Sequence, residues 1–547
     1  MIKKTNNINK ALEYIWCFLN INKTEFDLHQ IWNECLRLAG YDYSFKPTML
    51  KNNISYDELQ MLLSKLNEKE ENRKDNGVYY TSRDVVNFIL FNCIKAFQNR
   101  LSEKNISISS KDIIIDANFV YKINILEPTC GVGEFLLAAF ELKVSYLKKI
   151  NQISVDSISR VLRTIHGNDI NPESIILAKI RMFLSIVMIC GQQIACDCTK
   201  DIDNSFSSID FINMTARQSF KYDIIVGNPP YIEDAKYGKL DNKYGNVYCN
   251  VLVNSTFMLS EGGVIGFIIP LSYTSTPRMK KIRETISANY MQQFILHYAD
   301  RPDCLFSGVH QKLCILIASK MGEEGIYTSK YHYWYKEERE NLFKDVVVVR
   351  NNYSCNDFIP KLGSQYDVSI YRKIIESPKC VSVYDTSRNG NECVYVNRRE
   401  TFWIKAYRTL PYIDPELKIF RYLTKGEADY CYCLVNSSLF WWYWICTSDC
   451  WHISKKLNGF KAPQITKYAQ ATHLARILAD KLEKTKIYIG TKQVDYEYKH
   501  NLCVNEIHKI DDFVNSLFEL TESESEYIKQ FSYKYRISGG PDYDKSN

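Results

Sequence analysis

The stretch Gly227 to Tyr231, GNPPY, brings an amide, two prolines and an aromatic ring together directly after an apolar run. The run Tyr222–Val226 is typical of a short buried strand, and the glycine and prolines prevent its continuation as a helix or a central strand. Asn228 and the Pro229 carbonyl offer hydrogen-bond acceptors, while Tyr231 offers a flat aromatic face. This set suits a planar amine, because the carbonyls would accept its two N–H bonds while the ring stacks on it. A proline-rich turn beside an ordinary core tyrosine is the alternative.

A second stretch has the order strand, acid, glycine loop, helix. The apolar segment 123–126 runs into Glu127 and Pro128, then into Gly131 and Gly133, and an amphipathic helix follows. The glycines let the backbone approach a ligand closely, and the helix N-terminus would face that ligand. The pattern predicts a nucleoside-type ligand, although the dinucleotide fingerprint is incomplete because only two glycines are spaced in this way.

Acidic residues that follow could bind the same ligand. Residues 166–168 are predicted to end a second strand, so Asp169 would lie at its carboxyl end and accept both hydroxyls of a ribose. Farther along, Asp210 could accept from an adenine amino group, and Asp197 or Asp201 could do so instead. The spacing does not decide between these three, and a solvated loop acid is the alternative for each.

Upstream, residues 77–90 (GVYYTSRDVVNFIL) predict a helix that starts near Asp84 and is capped by Thr81 or Ser82. Free N–H groups at that N-terminus could hold an anionic group of a ligand. An ordinary capped helix is the alternative.

Length and composition limit the class of protein. The chain of 547 residues is expected to form two or three domains, and its net charge of +6 permits a polyanionic partner. No apolar run predicts a membrane span, and the first residues lack the apolar core of a secretory signal. Without such a signal, 18 cysteines indicate a reducing cytosol. Cys446, Cys450 and His452 lack a fourth ligand and a CxxC pair, so no metal site is predicted.

Taken in order, these motifs resemble those of the adenine-N6 DNA methyltransferases of restriction–modification systems. The chain is most similar to the branch in which the cofactor motifs precede NPPY and the target-recognition domain is C-terminal. The resemblance covers roughly residues 77 to 320. The matching pieces are Gly77 to Thr81, Glu127 to Phe135, Asn168 and Asp169, Gly227 to Ile232, Leu259 to Tyr273, and Leu305 to Ile317.

The resemblance implies an α/β fold with a twisted, mostly parallel seven-stranded sheet, and S-adenosylmethionine as methyl donor. It implies double-stranded DNA as partner, a flipped-out adenine as target and a bacterial, nucleoid-associated cytoplasmic location. It also allows for a cognate restriction endonuclease encoded nearby, with no stable complex and no membrane partner. Two departures are small: Glu127 stands where many relatives have aspartate, and Ser82 where many have proline.

Residue roles are carried over by motif. Tyr231 would stack on the flipped base, and Phe306 is the candidate for its opposite face. The residues implied in catalysis are Asn228, Pro229, Pro230 and Tyr231. Those implied in cofactor binding are Tyr80, Thr81, Glu127, Pro128, Gly131, Gly133, Asp169 and Asp210.

The C-terminal part is predicted to read DNA. Five of the eight tryptophans fall in residues 391–470, which carry 11 Lys/Arg against 7 Asp/Glu. The aromatic residues of LVNSSLFWWYWIC (434–446) are assigned to the core, so polar positions around them are the candidate DNA contacts. These are Arg398, Arg399, Lys405, Arg408, Lys455, Lys456 and Lys461.

The predicted division of the chain has four parts. Residues 1–75 form an N-terminal helical segment and 76–325 the methyltransferase domain. Residues 326–380 connect to an α+β target-recognition domain with a helical C-terminus over 381–547.

Three alternatives are disfavoured. A methylation subunit that needs a separate specificity protein is disfavoured, because residues 381–470 resemble a recognition domain. A catalytically silent DNA-binding protein is disfavoured by the intact Asn228, Pro229 and Tyr231. Methyltransferases that act on protein glutamine or ribosomal guanine also carry NPPY, but they are much shorter.

Overall fold

The apolar segments between residues 125 and 350 form the central sheet of the computed structural model. The structure describes residues 6–22, 27–43, 47, 54–66, 80–213, 220–238, 240, 243–306, 308–353, 357–380, 389–413, 415–453, 459–490 and 495–537. The strands of the sheet are β1 (Ile125–Glu127), β2 (Ile165–Asn168), β3 (Phe206–Ser207), β4 (Tyr222–Gly227), β5 (Leu259–Pro270), β6 (Gln292–Tyr298), β7 (Leu313–Ser319), β8 (Gly325–His332) and β9 (Val349–Arg350). Their order across the sheet is β3-β2-β1-β4-β5-β7-β6-β8-β9.

Parallel pairing dominates this sheet. β1 lies parallel between β2 and β4, with Ile125 opposite Ile165 on one side and Ile224 on the other. The pairs β2–β3, β4–β5 and β6–β8 are also parallel, whereas β7 is antiparallel to β5 and β6, and β9 to β8. Every residue of β6 and β7 is buried, as expected for strands covered on both faces. The predicted α/β fold with a mostly parallel sheet is confirmed, and the carboxyl ends of β1, β2 and β4 open on one edge.

The sheet has nine strands instead of the predicted seven. β8 and β9 come from the stretch 326–380, which the sequence predicts to be a connection between domains. Thr328 and Ser329 of β8 are buried, and the Thr328 hydroxyl donates to the Leu362 carbonyl at 2.8 Å. Because buried hydroxyl groups interrupt the apolar pattern, this strand does not stand out in the sequence.

Helices cover the sheet and continue into the N-terminal segment, where they pack on the helix Pro172–Cys190. The Arg181 Nε of that helix donates to the Gln60 side chain, in the helix Tyr56–Lys65, at 2.8 Å. The helices of this part are α1 (Asn6–Ile21), α2 (Leu28–Ala39), α3 (Tyr56–Lys65), α4 (Arg83–Phe97), α5 (Ala117–Lys122), α6 (Glu134–Lys149), α7 (Val155–Leu162), α8 (Pro172–Cys190), α9 (Gln192–Asp197), α10 (Thr199–Ser205), α11 (Asp234–Tyr237), α12 (Val247–Met258), α13 (Ser272–Ser275), α14 (Lys280–Asn289) and α15 (Gln365–Glu376), with 3₁₀ turns at Pro277–Met279 and Lys336–Asn341. None of the described helices has the length and apolar character that crossing a bilayer requires.

The C-terminal part combines small antiparallel sheets with helices. Its strands are β10 (Lys379–Cys380), β11 (Glu392–Asn397), β12 (Ala406–Tyr407), β13 (Leu417–Tyr422), β14 (Lys461–Ala462), β15 (Ile487–Tyr488) and β16 (Tyr496–Glu497). Its helices are α16 (Lys425–Asn436), α17 (Ser438–Thr447), α18 (Ala469–Thr485), α19 (Val504–Leu517), α20 (Glu522–Gln530) and α21 (Tyr533–Ile537), with a 3₁₀ turn at His500–Leu502. β11 lies between β12 and β13. Trp441, Trp442 and Trp444 of α17 are buried, which confirms that the aromatic stretch belongs to the core.

Buried polar contacts join the C-terminal part to the segment that follows the sheet. The Lys361 ammonium donates to the carbonyls of Ile445 at 2.8 Å and Ser448 at 2.6 Å. The Trp442 indole donates to the Asp367 carboxylate at 2.9 Å. The two parts therefore share one interior, because the partners of these buried groups lie across the predicted domain boundary.

Candidate functional site

The GNPPY loop leaves the carboxyl end of β4 and is tied to two neighbouring elements. The Asn228 Nδ2 donates to the Thr81 hydroxyl at 3.0 Å, and the Tyr231 hydroxyl donates to the Ile268 carbonyl of β5 at 2.9 Å. Pro229 is buried and Pro230 half-buried between these anchors. The loop is therefore a rigid platform, because its prolines restrict the backbone and its flanking side chains are held.

A second aromatic ring faces Tyr231. The Phe306 ring lies 6.4 Å from the Tyr231 ring, measured between centroids, with 28° between the two planes. Phe306 is only 2% exposed, and Tyr248 meets Tyr231 edge-on. The residue predicted for the opposite face of a bound base is thus brought to the predicted stacking residue.

The glycine loop between β1 and α6 curves around an open space. Gly131 and Gly133 have φ angles of +51° and +84°, a region that favours glycine. An ideal Cβ added at Gly131 would meet nothing within 4 Å. The Gly131 N–H donates to the Asp169 carboxylate at 2.8 Å, so the loop and the end of β2 meet as predicted.

Acidic side chains surround this loop. Glu127 is 3% exposed, and its Oε2 has no hydrogen-bond partner within the described part of the chain. Burial, followed by the nearby charges of Glu134 and Asp169, raises the pKa of Glu127 well above its usual value. A cationic ligand group would stabilise these carboxylates and supply the missing partner. The residues present therefore fit the ammonium and sulfonium groups of S-adenosylmethionine.

Asp210 lies at this edge of the sheet, unlike the other two acids considered. The Ile209 N–H next to it donates to Asn168 at the end of β2, at 3.0 Å. The Tyr237 hydroxyl of α11 donates to Asp210, also at 3.0 Å. In contrast, Asp201 accepts from Ser159 and Arg163 on the helical side, and Asp197 accepts from Gln193 within α9. The structure thus brings Asp210 toward the predicted ligand.

The start of α4 differs from the prediction. The cap position is occupied by Ser82, yet its side chain makes no capping hydrogen bond, and the Val85 N–H of the first turn donates to Asp84 at 2.9 Å. Thr81 instead accepts from Asn228, and the Ser82 hydroxyl accepts from Arg339 at 2.8 Å. Both hydroxyls are used in tertiary contacts, which a local capping pattern does not reveal. Tyr80 is half-buried beside Thr81, and burial raises the pKa of its hydroxyl.

Three residues of the site escaped the sequence-based prediction. Arg181 donates to the Val132 carbonyl of the glycine loop at 2.9 Å and lies 2.7 Å from the Glu134 carboxylate. A lone arginine in the apolar helix α8 was the available signal for it, and Glu134 directly follows the glycines. Tyr237 carries no sequence signal of its own. The Pro128 carbonyl accepts from the Asn168 side chain at 3.1 Å.

Comparison with known proteins finds similarity over part of this chain. Residues 163–304 match the model described as Eco57I restriction-modification methylase. Type II methyltransferase M.BanIII from Aneurinibacillus aneurinilyticus is 27% identical over 277 residues, which cover 48% of this chain and 42% of that protein. In these regions the chain is similar to restriction–modification methylases. Modification methylase CviBIII from Paramecium bursaria Chlorella virus NC1A is 23% identical over 302 residues, 54% of this chain and 58% of its own. The chain thus spans about half the length of these curated relatives.

One solved structure has a fold similar to that of this chain over nearly the whole length of the chain. The type IIL restriction-modification enzyme MmeI, solved in complex with DNA, aligns with a TM-score of 0.50 and 10% identity. The alignment covers 97% of this chain and 90% of that chain. The shared fold therefore includes the C-terminal part as well as the sheet. S-adenosylmethionine is the cofactor expected of such a methylase.

The structure describes five of the seven predicted DNA contacts. Arg398 and Arg399 lie beside the Glu416 carboxylate at 3.5 and 3.3 Å, and Lys405 is half-buried. Lys455 and Lys456 lie outside the described residues. Lys461 donates to the Ile375 carbonyl at 2.6 Å.

Arg408 requires a correction. Its guanidinium donates to Asp429 at 2.8 Å, to Glu392 at 2.6 Å and to the Cys393 carbonyl. These contacts join β11 to α16 and use the guanidinium inside the protein. Arg408 is therefore a structural residue, because its donors already have internal acceptors.

Proposed function

We propose that this protein transfers the methyl group of S-adenosylmethionine to the N6 amino group of adenine at specific sites in DNA. It would be the modification enzyme of a restriction–modification system. The observation that carries the proposal is the pair of facing rings, Tyr231 and Phe306, beside the anchored Asn228 and the acid-lined glycine loop. A planar amine and a cationic methyl donor are the ligands that this combination suits.

Asn228 and Pro229 would activate the amine. The lone pair of an adenine amino group is delocalised into the ring, so the group is a poor nucleophile. Two carbonyl acceptors would draw its hydrogens out of the ring plane and free the lone pair for in-line attack. The hydrogen bond from Asn228 Nδ2 to Thr81 supports this role, because it orients the amide and thereby its oxygen. Positioning and electrostatics would then lower the barrier without a covalent enzyme intermediate.

Tyr231 and Phe306 would hold the base after it leaves the duplex. An amino group inside a helix is out of reach, so the nucleotide must be extruded. A base stacked on both faces needs about 7 Å between the rings, twice a van der Waals separation. The two ring centroids lie 6.4 Å apart in the structure, so the pair would have to open for a base to enter.

The acid-lined loop would hold the cofactor. S-adenosylmethionine supplies an electrophilic methyl group on a sulfonium. Glu127 would take its ammonium group, and Gly131 and Gly133 would admit it closely to the backbone. Asp169 would accept from the ribose, and Asp210 from the adenine. Tyr80, Thr81 and Pro128 would complete the wall.

The C-terminal part would choose the DNA sequence, and the protein would then act at the bacterial nucleoid in the cytoplasm. Arg399 is exposed and Arg398 and Lys405 are half-buried, and these three are the candidate contacts. A cognate endonuclease encoded nearby would complete the system. In the second candidate function, a methylation subunit, recognition would come from a separate protein.

Methyl transfer to DNA tests the proposal. The purified protein would be incubated with S-adenosylmethionine and a bacterial genome free of adenine methylation, followed by methylation-aware sequencing and mass spectrometry of the nucleosides. N6-methyladenine at one recurring sequence is the expected result. Recovery of methylcytosine would refute the substrate assignment. Methyl transfer that requires a second protein would instead show that this chain is a methylation subunit.

A further inference from the structure

We propose that Arg339 is a positioning residue that couples the cofactor side of the site to the wall holding the target base. This inference rests on the proposed function and adds a residue that no sequence motif of the chain contains. Arg339 lies in the 3₁₀ turn Lys336–Asn341, between β8 and β9. Its guanidinium bridges two segments that each contact the GNPPY loop, one through Thr81 and the other through Phe306.

One side of the guanidinium binds the start of α4. Its Nε donates to the Asp84 carboxylate at 2.8 Å, and one terminal nitrogen donates to Asp84 at 3.2 Å and to the Ser82 hydroxyl at 2.8 Å. Burial alone would raise the pKa of Asp84, but the hydrogen bonds and charge of Arg339 lower it below its usual value. The ion pair is therefore maintained, and it fixes the residues directly after Thr81, which binds Asn228.

The other side of the guanidinium binds the segment that carries Phe306. The second terminal nitrogen donates to the Cys304 carbonyl at 3.0 Å. The Cys304 thiol in turn donates to the Phe306 carbonyl at 3.0 Å. A displacement of this segment would change the separation of Phe306 from Tyr231 and would also strain the Arg339 contact.

These contacts close a ring of interactions around the site. The ring runs from Asn228 to Thr81, through Arg339 to Cys304 and Phe306, and back across the facing rings to Tyr231. A planar guanidinium can bind a carboxylate and a carbonyl at the same time, whereas an ammonium cannot reproduce that fork. Cofactor binding should therefore favour the position of Phe306 that can hold the target base. By reciprocity, capture of the base should raise the affinity for the cofactor by the same factor.

The coupling predicts the same loss in two variants that differ in charge. Arg339→Lys keeps a positive charge near Asp84 but cannot bind both segments. Arg339→Gln removes the charge as well. In both, the factor by which cofactor improves target-base capture should fall to about one. Methyl transfer from the preformed complex should fall about 10-fold to 100-fold, the range of one charge-assisted hydrogen bond. Cofactor affinity should stay within about threefold, because the cofactor contacts of the loop are unchanged.

The experiment measures base capture with and without cofactor in the full-length protein. A duplex carrying the recognition sequence, with 2-aminopurine in place of the target adenine, reports extrusion by its fluorescence. It is titrated with protein in the presence and absence of S-adenosylhomocysteine, whose own affinity is measured by calorimetry. Arg350→Gln is the matched control, since Arg350 pairs at the sheet edge with Glu323. Thermal melting identifies variants that fail to fold, and Asp84→Asn breaks the same ion pair from its other partner.

The outcomes separate coupling from mere stability. Folded Arg339→Lys and Asp84→Asn proteins that bind cofactor but lose its effect on fluorescence support the proposal. Native coupling in either folded variant overturns it, and so does a native protein in which cofactor leaves fluorescence unchanged. If the native protein methylates no adenine, the proposed function fails by itself, which the nucleoside assay shows independently.

Discussion

At the residue scale, Asn228 is expected to act mainly in the transition state. Its oxygen is needed most as the amine rehybridises, so replacement should leave both ground-state ligands bound. Asn228→Ala should lower single-turnover methyl transfer about 100-fold to 1,000-fold, the usual loss for one such polar group. Cofactor and DNA affinities should change less than about threefold. The matched control is Asn289→Ala at the end of α14, whose amide only donates within its helix.

Transfer of labelled methyl to duplex DNA measures this effect, with calorimetry for the cofactor. A near-native rate in Asn228→Ala would remove the residue from the mechanism. A loss of cofactor binding equal to the loss of rate would instead make it a structural residue.

Glu400 provides a second prediction at the residue scale, on stability and pH. It is buried, and burial raises its pKa to about 8 despite the nearby Lys405. In the unfolded chain a glutamate has a pKa of about 4.3, so the folded protein holds a proton that the unfolded chain releases. The stability that this proton confers is complete below about pH 4.3 and is lost as the pH rises toward about 8.

Glu400→Gln cannot ionise and should remove this loss. The free energy of unfolding of the native protein should fall more steeply than that of the variant between pH 6 and about pH 8, by up to about 1.4 kcal/mol per pH unit, and its melting temperature should fall with it. Differential scanning fluorimetry across this range measures the slopes. Glu376→Gln, at an exposed position, is the control and should follow the native slope. Identical slopes for native protein and Glu400→Gln would contradict the buried-proton explanation.

At the element scale, Gly266 allows α4 to pack directly against β5. An ideal Cβ at Gly266 would overlap the Cys93 sulfur and lie 2.8 Å from Ile89 Cγ2, both on α4. Gly266→Ala should therefore destabilise the protein by about 1–3 kcal/mol through overpacking. The loss of melting temperature measures it. Adding Cys93→Ala in the same chain makes room for the new methyl group and should recover most of the loss. Failure of this second change to help would place the strain elsewhere.

At the scale of the whole molecule, the C-terminal part supports the fold as well as the proposed recognition. Lys361 and Asp367 are buried, and their partners Ser448 and Trp442 lie beyond residue 380. A fragment of residues 1–380 would leave the ammonium and the carboxylate without these partners. Breaking one such buried charge contact costs about 3–5 kcal/mol. The fragment should therefore melt well below the full chain or aggregate, and should lose cofactor binding with it.

Thermal melting and calorimetry of the fragment test this dependence. Lys361→Met in the full chain keeps the side-chain stem and removes only the ammonium, so it should lower the melting temperature less than the truncation does. A fragment that melts like the full chain and binds cofactor equally well would show two independent domains.

The sequence by itself determined the parts of this protein whose physics is local. Three short motifs each indicate a function from a few neighbouring residues. They are GNPPY after an apolar run, the paired glycines after Glu127, and Asp169 after a second strand. Parallel strands bring their carboxyl ends to one edge of a sheet, so these motifs had to converge. The burial of the aromatic residues of α17 was likewise predicted from the local sequence.

Only the tertiary structure decided which distant residues serve those motifs. Arg408 looks like a DNA contact in the sequence, but acceptors from β11 and α16 surround its guanidinium. Arg339 has no motif at all, although it binds segments on both sides of the site. β8 joins the sheet despite its hydroxyl groups, because the Thr328 hydroxyl donates to Leu362 and the Ser329 hydroxyl accepts from the His297 N–H of β6. Such roles depend on partners that are tens to hundreds of residues away in the sequence. A local sequence pattern cannot predict these contacts, because only folding brings the partners together.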